Sequence, residues 1–209
     1  MTKRPILWSF RRCPYAMRAR LAIYHAKIEV ELREILLKDK PADFVAASPK
    51  ATVPVVETTD GVIEESRDAM AWALSQSDPM GLWSDAAAPL LDQIDGPFKT
   101  ALDHTKYAVR YPHLDAQKER QKAADIIFEL EARLSRTDNL LGHHQTIADI
   151  GTLPFVRQFA NTDRTWFDAQ NWPNVHNWLG SFLESAAFSD IMRKYPVWTP
   201  DQPAVVFPN

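Results

Sequence analysis

The single cysteine of this 209-residue chain lies where a reactive thiol is readily built. Cys13 follows an apolar stretch, 5–10, that is typical of a strand, and Pro14 opens a helical pattern that continues to Lys27. Proline fits the first helical position because its missing N–H costs nothing there. The sulfur is therefore predicted at a helix N-terminus, where unpaired N–H groups and the helix dipole favour an anion.

Positive charge near Cys13 strengthens this prediction. Four arginines are close in sequence: Arg11, Arg12, Arg18 and Arg20. Such surroundings lower the pKa of a thiol from about 8.5 to roughly 3.5–7.5, so we expect a thiolate at neutral pH. The competing interpretation is that a lone cysteine behaves as a small buried hydrophobic side chain. The strand, Cys-Pro and helix pattern favours an exposed sulfur at the end of a sheet.

The chain offers no second sulfur for a disulfide. Ala16 occupies the position at which a Cys-x-x-Cys motif carries its resolving thiol. A redox cycle at Cys13 would therefore take its second sulfur from a small thiol or from a partner protein.

The composition excludes several classes of protein. Apolar residues make up 45% of the chain and aromatic residues 11%, which is enough for packed cores. A net charge of −3 and a pI of about 6.1 do not favour a nucleic-acid surface. No apolar run approaches the roughly 18–20 residues that span a bilayer, so no membrane contact is expected. One free cysteine and a first apolar stretch too short for a signal peptide predict a cytoplasmic location.

The patterns predict two domains joined near residues 78–83. Residues 1–78 alternate strand and helix patterns in the order βαβ, α, ββα, with a hairpin signal at Asp60-Gly61. Residues 84–209 show helical patterns, with a long helix over 85–110 bent at Gly96-Pro97 and an extended end from Pro196. The predicted fold class is an α/β domain followed by an all-helical domain.

Several motifs, taken together and in order, resemble those of cytosolic glutathione transferases of the cysteine type (omega-like). They are Cys13-Pro14-Tyr15-Ala16, Val53-Pro54, Glu65-Ser66, Thr146-Ile147-Ala148-Asp149, Pro154 inside the next helix, and Asn171-Trp172-Pro173-Asn174-Val175 with Trp178. The resemblance covers the whole chain. It implies that 1–78 is a thioredoxin-like, glutathione-binding domain and that 84–209 is a helical bundle contributing a pocket for a second substrate.

The resemblance also implies a glutathione site in the first domain. Its expected residues are Tyr15, Leu37, Lys40, Val53, Pro54, Glu65 and Ser66. The family keeps the bond before this proline cis, so the main chain of Val53 is expected to pair with glutathione like an added strand. Ser66, which opens a helix, suits the γ-glutamyl carboxylate, and Glu65 suits the neighbouring ammonium. The alternatives are an ordinary edge-strand proline and an ordinary helix cap.

Two of these positions are assigned by the resemblance alone. It implies that Lys40 contacts the glycyl carboxylate of glutathione and that Leu37 contributes its backbone. A lysine at the start of a short helix is otherwise a solvated side chain.

Candidates in the second domain are fewer. The resemblance implies that His104, Tyr107 and Tyr111, at i, i+3 and i+7 on the long helix, line the second-substrate pocket, and simple helix packing is the alternative. Trp198 is a further candidate for closing that pocket. Thr146 and Asp149 are interpreted as a structural capping box. His143 and His144 lack a cysteine partner, so no metal site is predicted.

These observations lead to three functional hypotheses. The first is a glutathione-dependent thiol transferase or reductase in which Cys13 forms a mixed disulfide with glutathione, the co-substrate, during reduction of a small disulfide. The second is ordinary conjugation of glutathione to an electrophile, or peroxide reduction. The third is a binding protein that keeps the transferase fold without catalysis. The resemblance further implies a two-fold homodimer.

Overall fold

The computed structural model describes residues 4–208, which group into two compact units. The first unit comprises the residues up to Trp83 together with those from Ser185 onward, and the second is Ser84–Glu184. The predicted fold class, a mixed sheet with helices plus an all-helical part, is confirmed. One boundary differs from the sequence prediction, because the residues after Glu184 group with the first unit.

A five-stranded sheet forms the centre of the first unit. Its strands are β1 (Ile6–Ser9), β2 (Val30–Glu34), β3 (Val55–Glu57), β4 (Val62–Ile63) and β5 (Val206–Phe207), in the spatial order β4-β3-β1-β2-β5. Only β1 and β2 run parallel, and the other neighbouring pairs are antiparallel. The parallel pair requires a crossover between its strands, and the first helix supplies it.

Four helices belong to this unit: α1 (Pro14–Ala26), α2 (Ala42–Ala47), α3 (Ser66–Gln76) and α10 (Ala186–Ile191). In α1 ten of the 13 residues are buried, so this helix lies inside the unit rather than on its surface. Lys27 ends it in the left-handed conformation, with φ 56°, and its N–H returns to the Tyr24 carbonyl.

The C-terminal stretch was expected to be extended, but its pairing with the sheet was not predicted. Val206 and Phe207 pair with Glu31 and Val30, which places β5 on the outer edge of β2. Upstream of β5, Trp198 is buried, and its ring meets that of Trp8 at 4.9 Å between centroids. Trp198 therefore belongs to the core of the first unit, and its assignment to a second-substrate pocket was wrong.

The second unit is helical. Its α-helices are α4 (Ala88–Gln93), α5 (Lys99–Lys106), α6 (Ala116–Leu134), α7 (Ile147–Ala160), α8 (Arg164–Asp168) and α9 (Pro173–Glu184). The predicted long helix over 85–110 is divided: a π-helical turn, Ile94–Phe98, contains Gly96-Pro97, where the proline has no N–H to donate. No helix within residues 4–208 has the length and apolar character needed to cross a bilayer.

The start of α7 is built as the capping-box pattern predicts. Thr146 is the N-cap and its side chain accepts from the Ala148 N–H, while Asp149 accepts from the Thr146 N–H at 2.8 Å. Asp149 is fully buried and also accepts from the Leu140 N–H and the Trp178 indole N–H. Burial raises the pKa of this carboxyl, against the effect of its four hydrogen bonds.

Candidate active site

Cys13 is the N-cap residue of α1, as the Cys-Pro pattern predicts. Its N–H closes a turn onto the Phe10 carbonyl at 3.0 Å, and its own carbonyl accepts the Met17 N–H at 2.9 Å. Its backbone is extended, with φ −73° and ψ 123°, and Pro14 is the first residue of the helix. The residue is partly exposed, so the sulfur is at the start of a helix without being sealed in the core.

The main chain of Val53 lies next to this sulfur. The Cys13 Sγ is 3.7 Å from the Val53 carbonyl oxygen, to which the thiol can donate. The Val53–Pro54 peptide bond is cis, as the resemblance implies. Val53 is only 7% exposed, yet its N–H has no hydrogen-bond acceptor among the residues described. A buried donor left in this state is suited to a backbone acceptor of a ligand.

The four nearby arginines differ in their surroundings. Arg12 is exposed, with its guanidinium 5.4 Å from the centre of the Phe10 ring. Arg18 is fully buried, 5.8 Å from the Tyr15 ring. Arg20 is also fully buried and interacts electrostatically with Cys13. The sequence treated these charges as equivalent, whereas the structure buries Arg18 and Arg20 fully and leaves Arg12 exposed.

A second group of polar side chains surrounds the start of α3. Ser66 is 5% exposed, and no hydrogen-bond partner for its hydroxyl occurs within 4–208. Glu65, the N-cap position, pairs with Lys50 Nζ at 3.1 Å, and Lys50 also reaches Glu64 at 3.4 Å. Ser48 donates to Glu64 at 2.5 Å, and this bond is the main reason that the pKa of Glu64 is lowered.

Lys50 is the residue that sequence reasoning missed at this position. The hydrogen bond to Glu65 is the first cause of its raised pKa, followed by the charge of Glu64. No spacing rule links Lys50 to Glu65, because a loop and a two-stranded hairpin separate them. The only signal in the sequence was the lysine itself, which precedes Ala51 just upstream of the Val53-Pro54 motif.

The remaining predicted glutathione residues lie in the same unit. Tyr15 is in the first turn of α1, partly exposed, next but one to Cys13. Leu37 is 46% exposed in a tight turn closed by the Asp39 N–H on the Leu36 carbonyl. Lys40 is exposed immediately before Pro41, the N-cap of α2. Their contacts with glutathione stay predictions.

In the second unit, the three proposed pocket residues do not share one helical face. Helix α5 ends at Lys106, so Tyr107 and Tyr111 lie beyond it. His104 stacks on Tyr111 at 4.4 Å between ring centres and bonds to Glu119 through Nδ1 at 2.8 Å. The ring of Tyr107 instead faces the guanidinium of Arg110 at 4.5 Å. The i, i+3, i+7 placement was wrong, and a role in a substrate pocket stays a prediction.

The adjacent histidines have ordinary surroundings. His143 Nδ1 lies 3.0 Å from Asp138 Oδ2, and both side chains are largely exposed. Across residues 4–208 no group of three or more His, Cys, Asp or Glu side chains is arranged to hold a metal ion.

Family models match both parts of the chain. The model described as glutathione S-transferase, N-terminal domain, matches residues 7–80, and the model described as glutathione S-transferase, C-terminal domain, matches residues 112–181. A curated relative, "Probable glutathione transferase" from Aplysia californica, is 43% identical over 56 residues, which are 27% of this chain and 61% of that protein.

A second curated relative extends over most of the chain. "Elongation factor 1-gamma 2" from Oryza sativa subsp. japonica is 23% identical over 207 residues, covering 87% of this chain and 50% of that protein. The chain thus spans only about half to three fifths of the length of these two relatives.

Solved structures show the same fold. A glutathione transferase family member from Pseudomonas fluorescens pf-5, with two glutathione bound, has a TM-score of 0.76 at 17% identity and covers 91% of this chain and 92% of its own. Glutathione transferase F7 from Populus trichocarpa has a TM-score of 0.75 at 17% identity, covering 91% and 100%. Identities this low indicate a shared architecture and leave the chemistry to the residues of this chain.

Proposed function

The chain belongs to the glutathione S-transferase family, and from this premise we propose that it is a glutathione-dependent thiol transferase or reductase whose nucleophile is Cys13. The observation that carries the proposal is the partly exposed sulfur at the N-cap of α1, 3.7 Å from the carbonyl of a buried residue whose N–H is unpaired. A thiol nucleophile and a main-chain docking point are thus adjacent.

The first unit has groups that suit each part of glutathione. Val53 offers an N–H and a C=O, the pair that an extended peptide uses when it adds to a sheet. Ser66 offers a hydroxyl at the first turn of α3, where helix N–H groups favour a carboxylate. Glu65 is a carboxylate for the ligand's ammonium, and Lys50, its present partner, would be displaced or shared on binding.

The proposed cycle is a pair of thiol–disulfide exchanges. The Cys13 thiolate attacks the glutathione sulfur of a mixed disulfide, forming a Cys13–glutathione disulfide and releasing the substrate as its thiolate. The thiolate of a second glutathione then attacks the glutathione sulfur of that disulfide. Oxidised glutathione leaves, and Cys13 returns to the thiolate, so each turn converts one glutathionylated substrate and one reduced glutathione into the substrate thiol and one oxidised glutathione.

Two features of the chain favour this cycle over conjugation. The residue at the start of α1 is a cysteine, which forms a disulfide with glutathione, rather than a hydroxyl that stabilises a bound thiolate. Cys13 is also the only cysteine, so an internal disulfide cannot compete with the external thiol. Conjugation of an electrophile is the second candidate, and the identity of the second substrate lies with residues that the proposal does not assign.

A binding protein without catalysis is the third candidate. One relative, identical at 23% of aligned positions over most of the chain, carries the name of an elongation factor and not of a transferase. For the catalytic proposal, the Cys13 sulfur must be reachable; for the binding alternative, Cys13 need only pack against the buried core of the first unit, as Phe10 and Ala51 do. A homodimer and a cytoplasmic location belong to the proposal as well.

Intact mass spectrometry after incubation with oxidised glutathione tests the proposal directly. We expect one glutathionyl adduct on the wild-type chain, removed again by excess reduced glutathione, and none on the Cys13→Ala variant. Activity assays then separate the candidates: the reductase proposal requires turnover of hydroxyethyl disulfide to exceed conjugation of chloro-dinitrobenzene. Absence of any adduct, together with no retention on immobilised glutathione, would favour the binding alternative.

A further inference from the structure

A buried ion pair contacts the turn that leads to Cys13. Arg20 Nη1 lies 3.8 Å from Glu34 Oε2, with only 1% of the arginine side chain and 10% of the glutamate side chain exposed. Arg20 is in α1, and Glu34 is the last residue of β2. The pair thus joins the helix that begins next to the thiol to the strand that runs parallel to β1.

The two charges hold the backbone of Arg11 from both sides, through the peptide group before it and the one after it. Glu34 Oε1 accepts the N–H of Arg11 at 2.6 Å, and Arg20 Nη2 donates to the carbonyl of Arg11 at 2.5 Å. Arg11 and Arg12 form the turn between β1 and α1, and Cys13 follows directly. Hydrogen bonds to charged groups are the stronger class, so both ends of Arg11 are firmly held.

The C-terminal return closes the same cluster. The Trp198 N–H donates to the Glu34 carbonyl at 2.8 Å, and Arg11 Nη1 donates to the Met192 carbonyl at 3.2 Å. Tyr195, between these two, interacts electrostatically with Arg20, and burial raises the pKa of its phenol. The ion pair therefore has neighbours from β2, the reactive turn and the segment after α10.

Arg20 carries a charge at neutral pH and interacts electrostatically with Cys13. It lies seven positions after Cys13 in the sequence, within α1. Burial lowers the pKa of Arg20 to about 10; the charges of Glu34 and then Cys13 oppose this fall, Arg11 adds to it and Tyr195 opposes it. Burial also raises the pKa of Glu34, against the Arg11 N–H and the charges of Arg20 and Arg11.

The Arg20–Glu34 ion pair is not expected to contribute much to the stability of the fold. Arg20 Nε and Nη1 and Glu34 Oε2 are buried without a hydrogen-bond partner in the described part of the chain. Buried ion pairs that leave polar atoms unmatched commonly stabilise no more than apolar side chains of similar volume. Its contacts with Arg11 point to a different role.

We propose that Arg20 and Glu34 are positioning residues for the Cys13 thiol: they fix the Arg11 backbone, two residues before the sulfur, and the buried positive charge of Arg20 acts on the thiol electrostatically. This inference rests on the proposed function, since it concerns the same thiol. It also gives a reason for placing two buried charged side chains against this turn.

Alkylation of Cys13 by iodoacetamide, followed as a function of pH, tests the inference without requiring turnover or glutathione. In the double variant Arg20→Met/Glu34→Met, which replaces both charges with apolar side chains, we expect the midpoint of the rate profile to rise by roughly one pH unit. The matched control is Arg4→Met/Glu29→Met, which removes a half-exposed ion pair of 2.7 Å from the same unit and is expected to leave the midpoint unchanged.

Two single variants separate the charge of Arg20 from the fold. Arg20→Lys keeps a positive charge and should hold the midpoint close to that of the wild type. Glu34→Gln keeps an acceptor for the Arg11 N–H but leaves Arg20 uncompensated, so the midpoint should fall, the opposite direction from the double variant. If the double variant does not fold, Glu34→Gln decides.

A midpoint that is unchanged in the folded double variant, or one that does not fall in Glu34→Gln, overturns the inference. Either result leaves the reductase proposal intact, because that proposal is tested by adduct formation and disulfide turnover. If the alkylation midpoints of the variants shift as predicted but the wild-type chain forms no glutathione adduct, the proposed function is contradicted and the positioning role is retained.

Discussion

Glu34 and Asp149 are both buried carboxylates whose pKa is raised by burial, yet their surroundings differ in kind. Both oxygens of Asp149 are matched: Oδ1 accepts from Leu140 and Trp178, and Oδ2 accepts the N–H and hydroxyl of Thr146. Glu34 uses one oxygen on the Arg11 N–H, and its other oxygen has no hydrogen bond within the described residues.

This difference in hydrogen bonding suggests that the Asp149 cluster stabilises the fold, whereas the Glu34 cluster serves the thiol site. The Asp149 cluster uses neutral donors only: the two bonds from Thr146 fix the start of α7, and those from Leu140 and Trp178 tie this start to the loop before it and to α9. The Glu34 cluster combines opposite charges, unmatched atoms and a nearby thiol. Buried groups left partly unmatched occur where a protein has a functional reason to keep them.

Removing the thiol gives the largest expected contrast between the two clusters. In Cys13→Ala, the rate of hydroxyethyl disulfide reduction should fall to the uncatalysed rate, because the chain has no other cysteine. Glutathione affinity, measured by calorimetry, and the free energy of unfolding should change little. Full reductase activity in this variant would contradict the role of Cys13.

Removing Asp149 should have the converse effect, on stability. Asp149→Ala leaves the buried N–H groups of Leu140, Trp178 and Thr146 without their acceptor, at about 1–3 kcal/mol each, so we expect a loss of roughly 3–5 kcal/mol. Urea denaturation measures it. The control is Asp138→Ala, an exposed carboxylate paired with His143, which should change stability by less than about 0.5 kcal/mol.

A smaller change at the same cap refines the contrast. Thr146→Ala removes one N-cap acceptor and should cost about 0.5–2 kcal/mol of stability, with no change in the pH profile of Cys13 alkylation. Thr146→Ser keeps the hydroxyl and should recover most of the loss. A large shift in thiol reactivity in Thr146→Ala would break the separation of the two clusters.

The smallest expected effect is the change in the free energy of unfolding with pH that arises from the titration of Asp149. Because burial raises the pKa of Asp149 above its usual 3.8, the folded state binds this proton more tightly than the unfolded state. The corresponding stability is fully present below pH 3.8 and is lost as the pH rises through the folded pKa. The difference in free energy of unfolding between the wild type and Asp149→Asn should therefore decrease as the pH rises from 3.8 through the folded pKa of Asp149, and stay constant above it. A difference that increases with pH over this range would contradict the prediction.

Local features were predictable from the sequence because their causes are local. Pro14 fixes where α1 begins, and Thr146 with Asp149 fixes where α7 begins; both are confirmed within one residue. The strands of the hairpin followed from two short apolar runs, 53–57 and 62–64, joined through Asp60-Gly61. Each of these needs only neighbours within a few positions.

The features that were missed depend on distant partners. Nothing local in Val206-Phe207, between prolines nearby in sequence, indicates pairing with β2, about 175 residues upstream. The same holds for Trp198 against Trp8, and for the pairing of Arg20 with Glu34. The long helix is irregular at Gly96-Pro97, where a bend was expected, but a π turn forms there and α5 ends at Lys106 rather than Arg110.

The first unit contains residues from both ends of this sequence, so it cannot be completed until the residues after Glu184 have been synthesised. Residues 84–184 are contiguous in sequence, whereas the core around Trp8 lacks Trp198 until that residue has been synthesised. At about 5–20 residues per second, the interval between Trp8 and Trp198 lasts on the order of ten seconds or more. During this interval β2 lacks its β5 partner, so the nascent chain has an unpaired strand edge of the kind that promotes association.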